Sequence, residues 1–501
     1  MGKLDRFGRD ILEASRQDFV GPAGNQEVLV NQVCAPSNHA ADHVLDRLVS
    51  DTDVPAHLIT RVYSRFIERA YGSLYKGGAW KAEYSFEIQP HLEEHSLHWK
   101  VHGTSQLRMA PPAHGHQKAY DKAYVEAETR VLNQSKIVIT TCANAYLHSA
   151  LMQEEKQQIL RPVKFDTIVI DEAAQAPEPD VVLPSACATT RVVVVGDHKQ
   201  LGPVVPERNL CSPYVNILKM PFLERMLKNP RRWEASTMLN MQYRMHPSIR
   251  SFPSSQFYDS KLEDRVAIPH RPELNRIWPE AKEHRRFIDC RTPQSMGLSP
   301  ELTRTCDAAL TENKTSLKNV GEAKVAAGLC SLLLKQGRCE ARDIAIITPY
   351  RAQQYEIRGR LQKDIPGSKH ILVGTVHSLQ GSEREFIIIS FVRSISDDVQ
   401  DIAPSEEATS MGDSLALREM RKTRLGILED SRLLNVALTR AKYGLVCIGN
   451  SEVLSNGSKD YYDLIQDLKR RGCLVSREDF LQNGRSSQRL IRHKPRRCLN
   501  A

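Results

Sequence analysis

Seven short β-branched runs, each cut off by polar residues, constrain this chain more than anything else in it. They are KIVITT (136–141), FDTIVIDE (165–172), RVVVVGD (191–197), DIAIITPY (343–350), HILVGTVHS (370–378), EFIIIS (385–390) and GLVCIGN (444–450). A strand that is apolar on both sides needs cover on both faces, and a parallel sheet sandwiched by helices provides it. The fold class expected is therefore α/β, with ligands at the carboxyl ends of the strands, where each run turns polar. The runs fall into two sets, before about residue 205 and after about residue 340. The segment between them, rich in Arg, Pro and Glu, reads as helices and loops. Two stacked α/β domains with a cleft between them are expected, over 1–225 and 226–480, followed by a basic tail at 481–501. Residues 72–118 and 395–424 show no clean period and read as insertions.

Length and charge narrow the partners. At 501 residues the chain is long enough for two or three full cores. No stretch approaches the roughly 18–20 consecutive apolar residues of a membrane span, so no membrane partner is expected. The eleven cysteines are scattered and never form a CxxC pair, which argues against a disulfide framework and suits a reducing compartment. Of the net charge of +9, six positive charges sit in the last seventeen residues, RSSQRLIRHKPRRCLNA, and the body is nearly balanced. That tail reads as a phosphate contact, an import signal or a disordered solubilising end.

Chemistry enters with TIVIDEAAQ (167–175). An acid at the end of a buried strand can hold Mg²⁺ while a neighbour orients an attacking water. Asp171 takes the metal role and Glu172 the base role, unless the pair is merely an acidic helix N-cap. About 25 residues later, GDHKQLGPVV (196–205) follows another strand, and Gln200 there can sense a terminal phosphate by hydrogen bonding. With CAPSNHAAD (34–42), KIVITTC (136–142), MQYRMHPSIRSFPSSQFYDSKLED (241–264), IITPYRAQ (346–353), GTVHSLQGSEREFIIISFVRS (374–394) and LLNVALTRAKYGLVCIGN (433–450), the sequence resembles superfamily-1 helicases of the up-frameshift/senataxin group. Those helicases act in nonsense-mediated decay and transcription termination.

The resemblance implies two tandem RecA-like domains that bind ATP and Mg²⁺ in their cleft. It implies that Arg244 and Arg440 reach the γ-phosphate, and that Gly381 and Glu383 pack against the nucleotide's phosphate and ribose side. Gln242 or Tyr243 would orient Arg244. It also places single-stranded RNA or DNA across the opposite edge, on Pro36, Ser37, Asn38, Thr140, Thr141, Pro349, Tyr350 and Thr375. Short polar side chains there contact phosphate and sugar without reading sequence, and a Tyr adds stacking.

One half of the nucleotide site departs from the pattern. The family requires G-x-x-x-x-G-K-[ST] before the CAPSN strand. Here Gly21-Pro22-Ala23-Gly24 begins like that loop, but Asn25-Gln26-Glu27-Val28 follows, and no GK[ST] occurs in the sequence. With a strand over Val28–Cys34, three residues remain for the connection and reach roughly 10 Å, short of the ~17–20 Å return along a strand. A crossover needs at least about 10–12 residues. The sequence thus reads as a shortened helicase core, without an adenine-reading glutamine motif, an inserted β-barrel or a Cys/His-rich domain, unless GPAG is an unrelated turn.

Two functions compete. The first is an ATP-driven translocase on single-stranded RNA or DNA, monomeric, cytoplasmic or nuclear, with possible ribonucleoprotein partners. The second is a nucleic-acid-binding module impaired in hydrolysis by the lost lysine and helix. A scaffold that binds no nucleic acid leaves the paired arginines unexplained.

Overall fold

The computed structural model describes residues 31–64, 67, 88–104, 117–147, 152–154, 160–162, 164–205, 214–229, 236–268, 271–275, 277–278, 282–298, 315–336, 339–379, 382–394 and 425–481. The chain divides into two compact units, Met1–Leu239 and Asn240–Ala501.

The first unit is built on β1 (Asn31–Ala35), β2 (Ile59–Arg61), β3 (Ile137–Thr141), β4 (Phe165–Ile170) and β5 (Ala188–Val194), all parallel, in the order β2-β3-β1-β4-β5. Side chains alternate between its two faces as a strand requires. Val33, Ile137, Ile139 and Val169 pack with Val44, Leu45 and Leu48 of α1 (Asn38–Asp51). Cys34, Val138, Ile168 and Ile170 share the other face with Val101 of α2 (Leu97–Thr104) and with Ala127 and Val131 of α3 (Gln117–Gln134). Helix α1 starts where it does because the Ser37 hydroxyl accepts the Ala40 amide, 3.2 Å, satisfying one of the open donors of its first turn.

Strand β5 departs from the sequence reading. RVVVVGD reads as a strand buried on both faces, yet among the described residues β5 has only β4 beside it, and Val192, Val193 and Val194 are half-buried. Short strand β2, within LITRVY, closes the opposite edge and was not among the seven runs. Within the expected insertion, residues 88–104 carry a 3₁₀ turn (Pro90–His95) and α2, so that part is helical. Insertion 395–424 and the tail beyond 481 lie outside the described residues.

The second unit holds β6 (Arg285–Asp289), β7 (Ile344–Ile347), β8 (Leu372–Gly374), β9 (Arg384–Ser390), β10 (Ala441–Gly449) and β11 (Leu474–Ser476), again all parallel, ordered β8-β7-β9-β10-β6-β11. Strand β6 corrects the expectation of helices and loops over the middle of the chain. HRRFIDC gives no apolar run, because Arg285 is buried on ion pairs with Asp467 and Glu283 rather than on apolar contacts. Ile288, Ile344, Ile346, Phe386, Ile388, Val446 and Ile448 form a core with α9 and α10, here numbered after the short helices Cys142–Leu147 (α4), Glu178–Ser185 (α5), Tyr214–Lys219 (α6), Phe222–Leu227 (α7) and Pro247–Phe257 (α8). Helix α9 spans Val320–Gln336 and α10 spans Arg351–Asp364. On the carboxyl-terminal side follow α11 (Ser431–Leu438), α12 (Ser451–Gly457) and α13 (Lys459–Arg470). Helix α13 buries Tyr461, Leu464, Ile465 and Leu468, the i, i+3, i+4, i+7 stripe of a helix lying on a sheet. Seven of the described cysteines are buried: Cys34, Cys142, Cys187, Cys290, Cys330, Cys447 and Cys473.

Ile388 is wholly buried in central β9, so Ile388→Ala should cost about 2–5 kcal/mol of the second unit's stability. Val193→Ala in edge strand β5 should cost less than half of that. Urea unfolding of both variants, followed by circular dichroism, checks the contrast.

Candidate nucleotide and strand-binding residues

In the first unit the expected catalytic residues come together at the carboxyl ends of adjoining strands. Asp171 and Glu172 leave β4, and the Asp171 amide donates to the Cys34 carbonyl at the end of β1, 2.8 Å. Glu172 has a left-handed backbone, φ 51°, and opens the 3₁₀ turn Ala173–Gln175 without a side-chain capping bond. A non-glycine residue held there is strained by about 1–3 kcal/mol, and such strain clusters at functional sites. Its carboxylate accepts from the Gln175 side-chain carboxamide nitrogen, 3.0 Å. The simple N-cap alternative therefore does not describe this acid.

Beside that turn runs the loop after β5. The Ala173 amide donates to the Val195 carbonyl, 2.9 Å, and the Gln200 side chain donates to Asp197, 2.8 Å. Gly196 makes the approach possible: a Cβ there would stand 2.9 Å from the Ala174 nitrogen and 3.2 Å from that of Ala173. Gly196 was not singled out from the sequence, although a glycine at a strand end is the usual sign of close backbone approach.

Pro36, Ser37 and Asn38 leave β1 at the same end of the sheet. Ser37 is exposed, while the Asn38 carboxamide oxygen accepts from buried Arg61, 3.0 Å. Thr140 requires a correction. It is fully buried and its hydroxyl donates to the Val62 carbonyl, 3.0 Å, so its side chain ties β3 to the segment after β2 and does not face outward. Thr141, one residue on, is half-buried and its hydroxyl accepts the Asn144 amide, 3.4 Å.

In the second unit the expected residues separate to opposite ends of the sheet. Arg244, Glu383 and Arg440 gather at the amino ends of β9 and β10, which corrects the expectation that every ligand group sits at a carboxyl end. Gln242 shapes this cluster. Its carboxamide oxygen accepts the amides of Arg244 and Met245, 2.9 and 2.7 Å, and its nitrogen donates to the Met245 carbonyl and to Asp264. Tyr243 is exposed and bonds only Met241 among these neighbours, so Gln242 orients Arg244. The Arg244 guanidinium pairs with Glu383 and also donates to the Thr439 carbonyl, 3.2 Å. Lys442, missed from the sequence although only two residues beyond Arg440, pairs with the other Glu383 oxygen at 2.8 Å. Burial raises the Glu383 carboxyl, but the Arg244 and Lys442 charges and hydrogen bonds outweigh it and hold the group at about 2. Arg440 is buried, 3% exposed, and turned onto the end of α11, donating to the Val436 carbonyl and the Thr439 hydroxyl.

Pro349 and Tyr350 follow β7, and Thr375 follows β8, all at carboxyl ends. The Tyr350 hydroxyl accepts from Arg393, 3.0 Å, and Thr375 accepts the Ser378 amide, 3.2 Å. Gly21, Gly24 and Gly381 lie outside the described residues. Counted from the observed start of β1 at Asn31, six residues separate Gly24 from that strand, still fewer than the roughly 10–12 of a helical crossover.

Magnesium takes one or two carboxylates and completes its shell with phosphate oxygens and water. Asp171, with Glu172 beside it on a fixed turn, fits that donor set.

Two segments match families described as AAA domain, residues 103–208 and 218–452. Regulator of nonsense transcripts 1 of Dictyostelium discoideum is 30% identical over 95% of this chain and 31% of its own length. The ATP-dependent helicase NAM7 of Saccharomyces cerevisiae is 29% identical over 93% of this chain and 41% of its own. The DNA polymerase alpha-associated DNA helicase A of Schizosaccharomyces pombe is 29% identical over 90% and 61%. A solved arterivirus nonstructural protein 10 helicase with DNA covers 89% of this chain and 57% of its own at 9% identity, but its TM-score of 0.32 is too low to bear on the fold. The chain carries two AAA-domain segments in tandem. Homologues named as regulators of nonsense transcripts and as ATP-dependent helicases match most of this chain, which spans about a third to two fifths of their length.

Glu383, held near 2 against an ordinary 4.5, adds stability that is fully present above pH 4.5 and lost as the pH falls toward 2. Glu383→Gln should be destabilising at neutral pH, and the gap from wild type should close across that window. Denaturant midpoints of both proteins between pH 7 and pH 2 test it.

Proposed function

We propose that this helicase core hydrolyses ATP with Mg²⁺ and uses the energy to move along single-stranded RNA. The observation that carries the reading is the grouping of Asp171, strained Glu172 and Gln200 on adjoining strand ends, locked together through Gly196. Bound ATP supplies the phosphoanhydride to be cleaved, with Mg²⁺ neutralising its phosphate oxygens. Asp171 holds the metal. Glu172 accepts a proton from the attacking water, and Gln200 orients that water against the terminal phosphate. By the resemblance, Arg244, aimed by Gln242 and paired with Glu383, and Arg440 stabilise the charge of the transferred group.

The separation seen in the second unit supports the assignment. Gln242, Arg244, Glu383 and Arg440 occupy one end of the sheet, and Pro349, Tyr350 and Thr375 occupy the other, as a protein needs when it handles nucleotide and strand apart. Phosphate contacts at the second end carry no base information, so binding is expected to be sequence-tolerant and salt-dependent. RNA is preferred over DNA because the relatives named as regulators of nonsense transcripts span nearly all of this chain.

Purified chain should release phosphate from ATP faster when single-stranded RNA is added. Glu172→Gln should abolish turnover while leaving RNA retention on a filter intact. Arg244→Lys should lower turnover by about 10³-fold or more, because lysine lacks the planar fork. Intact RNA binding without any hydrolysis in wild type would overturn the ATP-driven reading.

A further inference from the structure

At the carboxyl end of the second unit's sheet, Val392 has φ of +71°, a region that strains a β-branched residue. The turn is held from within. The Val392 amide donates to Glu322 Oε2, 2.9 Å, and the Ser390 hydroxyl donates to the same oxygen, 2.7 Å. The Val392 carbonyl accepts from Asn319, 3.4 Å, and Gln353 joins Asn319 to Ser390 through bonds of 2.8–3.1 Å. Glu322 stands fully buried in the first turn of α9, and burial pushes its carboxyl up to about 8. Glu322 Oε1 has no partner among the described residues. A buried acid is a costly way to secure a turn, and the outcome of that turn is the placement of the next residue.

That residue is Arg393, half-buried, with its Nε on the Tyr350 hydroxyl and its guanidinium 5.9 Å from the ring centre. Arg244, Arg250, Arg271 and Arg285 of the same unit each pair with a carboxylate. Among the described residues none pairs with Arg393. Strands β8, β7 and β9 are neighbours in that order, so their carboxyl ends present Thr375, Tyr350 and Arg393 in a row. A hydroxyl, an aromatic ring and a guanidinium that pairs with no carboxylate among the described residues stand side by side and suit a phosphodiester and its base.

We propose that Arg393 is a further strand-contacting residue and that Glu322 is its positioning residue, acting through the Val392 turn. The proposal rests on the reading that this chain binds a single strand.

The test is fluorescence anisotropy of the full chain with a labelled polyuridine strand, without nucleotide. Arg393→Ala should weaken binding about tenfold and reduce the slope of log affinity against log salt by about 0.7. Glu322→Ala should weaken it comparably, and Glu322→Gln, which keeps an oxygen for the Val392 amide, should restore it. The double variant Glu322→Ala/Arg393→Ala should bind no worse than the weaker single variant, since both act on one contact. Should Glu322→Ala melt below the assay temperature, Glu322→Asp, with its oxygens withdrawn by one methylene, serves in the same cycle. Losses that multiply in the double variant, or wild-type affinity in Arg393→Ala, overturn this inference alone. A wild-type chain that binds no strand overturns it together with the nucleic-acid reading.

Discussion

Parallel sheets covered on both faces leave a protein only the strand ends for chemistry. Both units obey that constraint. Val33, Val138 and Ile168 in the first sheet and Ile346, Ile388 and Val446 in the second are spent on packing. Polar work is therefore confined to the residues where a strand stops or starts. The acids follow β4, the proposed strand-contacting groups end β3 or follow β1, β7, β8 and β9, and the Glu383 cluster gathers at the starts of β9 and β10. The first unit uses one end of its sheet and the second uses both.

The Glu383 cluster shows how such an end is kept in order. One carboxylate joins Arg244 and Lys442, and the amide of Gln242 fixes the backbone that carries Arg244. The charges are only partly buried, so the ion pairs contribute modestly to stability. Their larger effect is on aim: a long, flexible arginine is held in one direction before any ligand arrives. Val392 and Glu322 exert the same kind of control at the other end of that sheet, with a strained backbone in place of an ion pair.

Much of this was legible in the sequence, and the exceptions have physical causes. Continuous apolar runs marked seven strands, although Val192, Val193 and Val194 of β5 are only half-buried. Strand β6 escaped because its buried Arg285 is satisfied by Asp467 and Glu283, partners distant or polar in the sequence. Asp171, Glu172, Gln200, Gln242 and Arg244 were recognisable from their motifs. Lys442, Asp264, Arg393 and Glu322 were not assigned, since their meaning lies in which residues face them. The inward turn of Thr140 was likewise hidden, because alternate residues of one strand look alike until the faces are known. Gly21 and Gly24, on which the question of the phosphate loop hangs, lie outside the described residues.

The buried cysteines have a practical corollary. Cys34, Cys142 and Cys187 are shut inside the first unit, and Cys290, Cys330, Cys447 and Cys473 inside the second. Burial pushes the thiols of Cys34, Cys142, Cys330 and Cys447 far from the reactive thiolate. An alkylating reagent can reach them only when the surrounding layers part. Each unit thus carries its own internal clock of breathing, readable by mass spectrometry on the native chain without adding a probe.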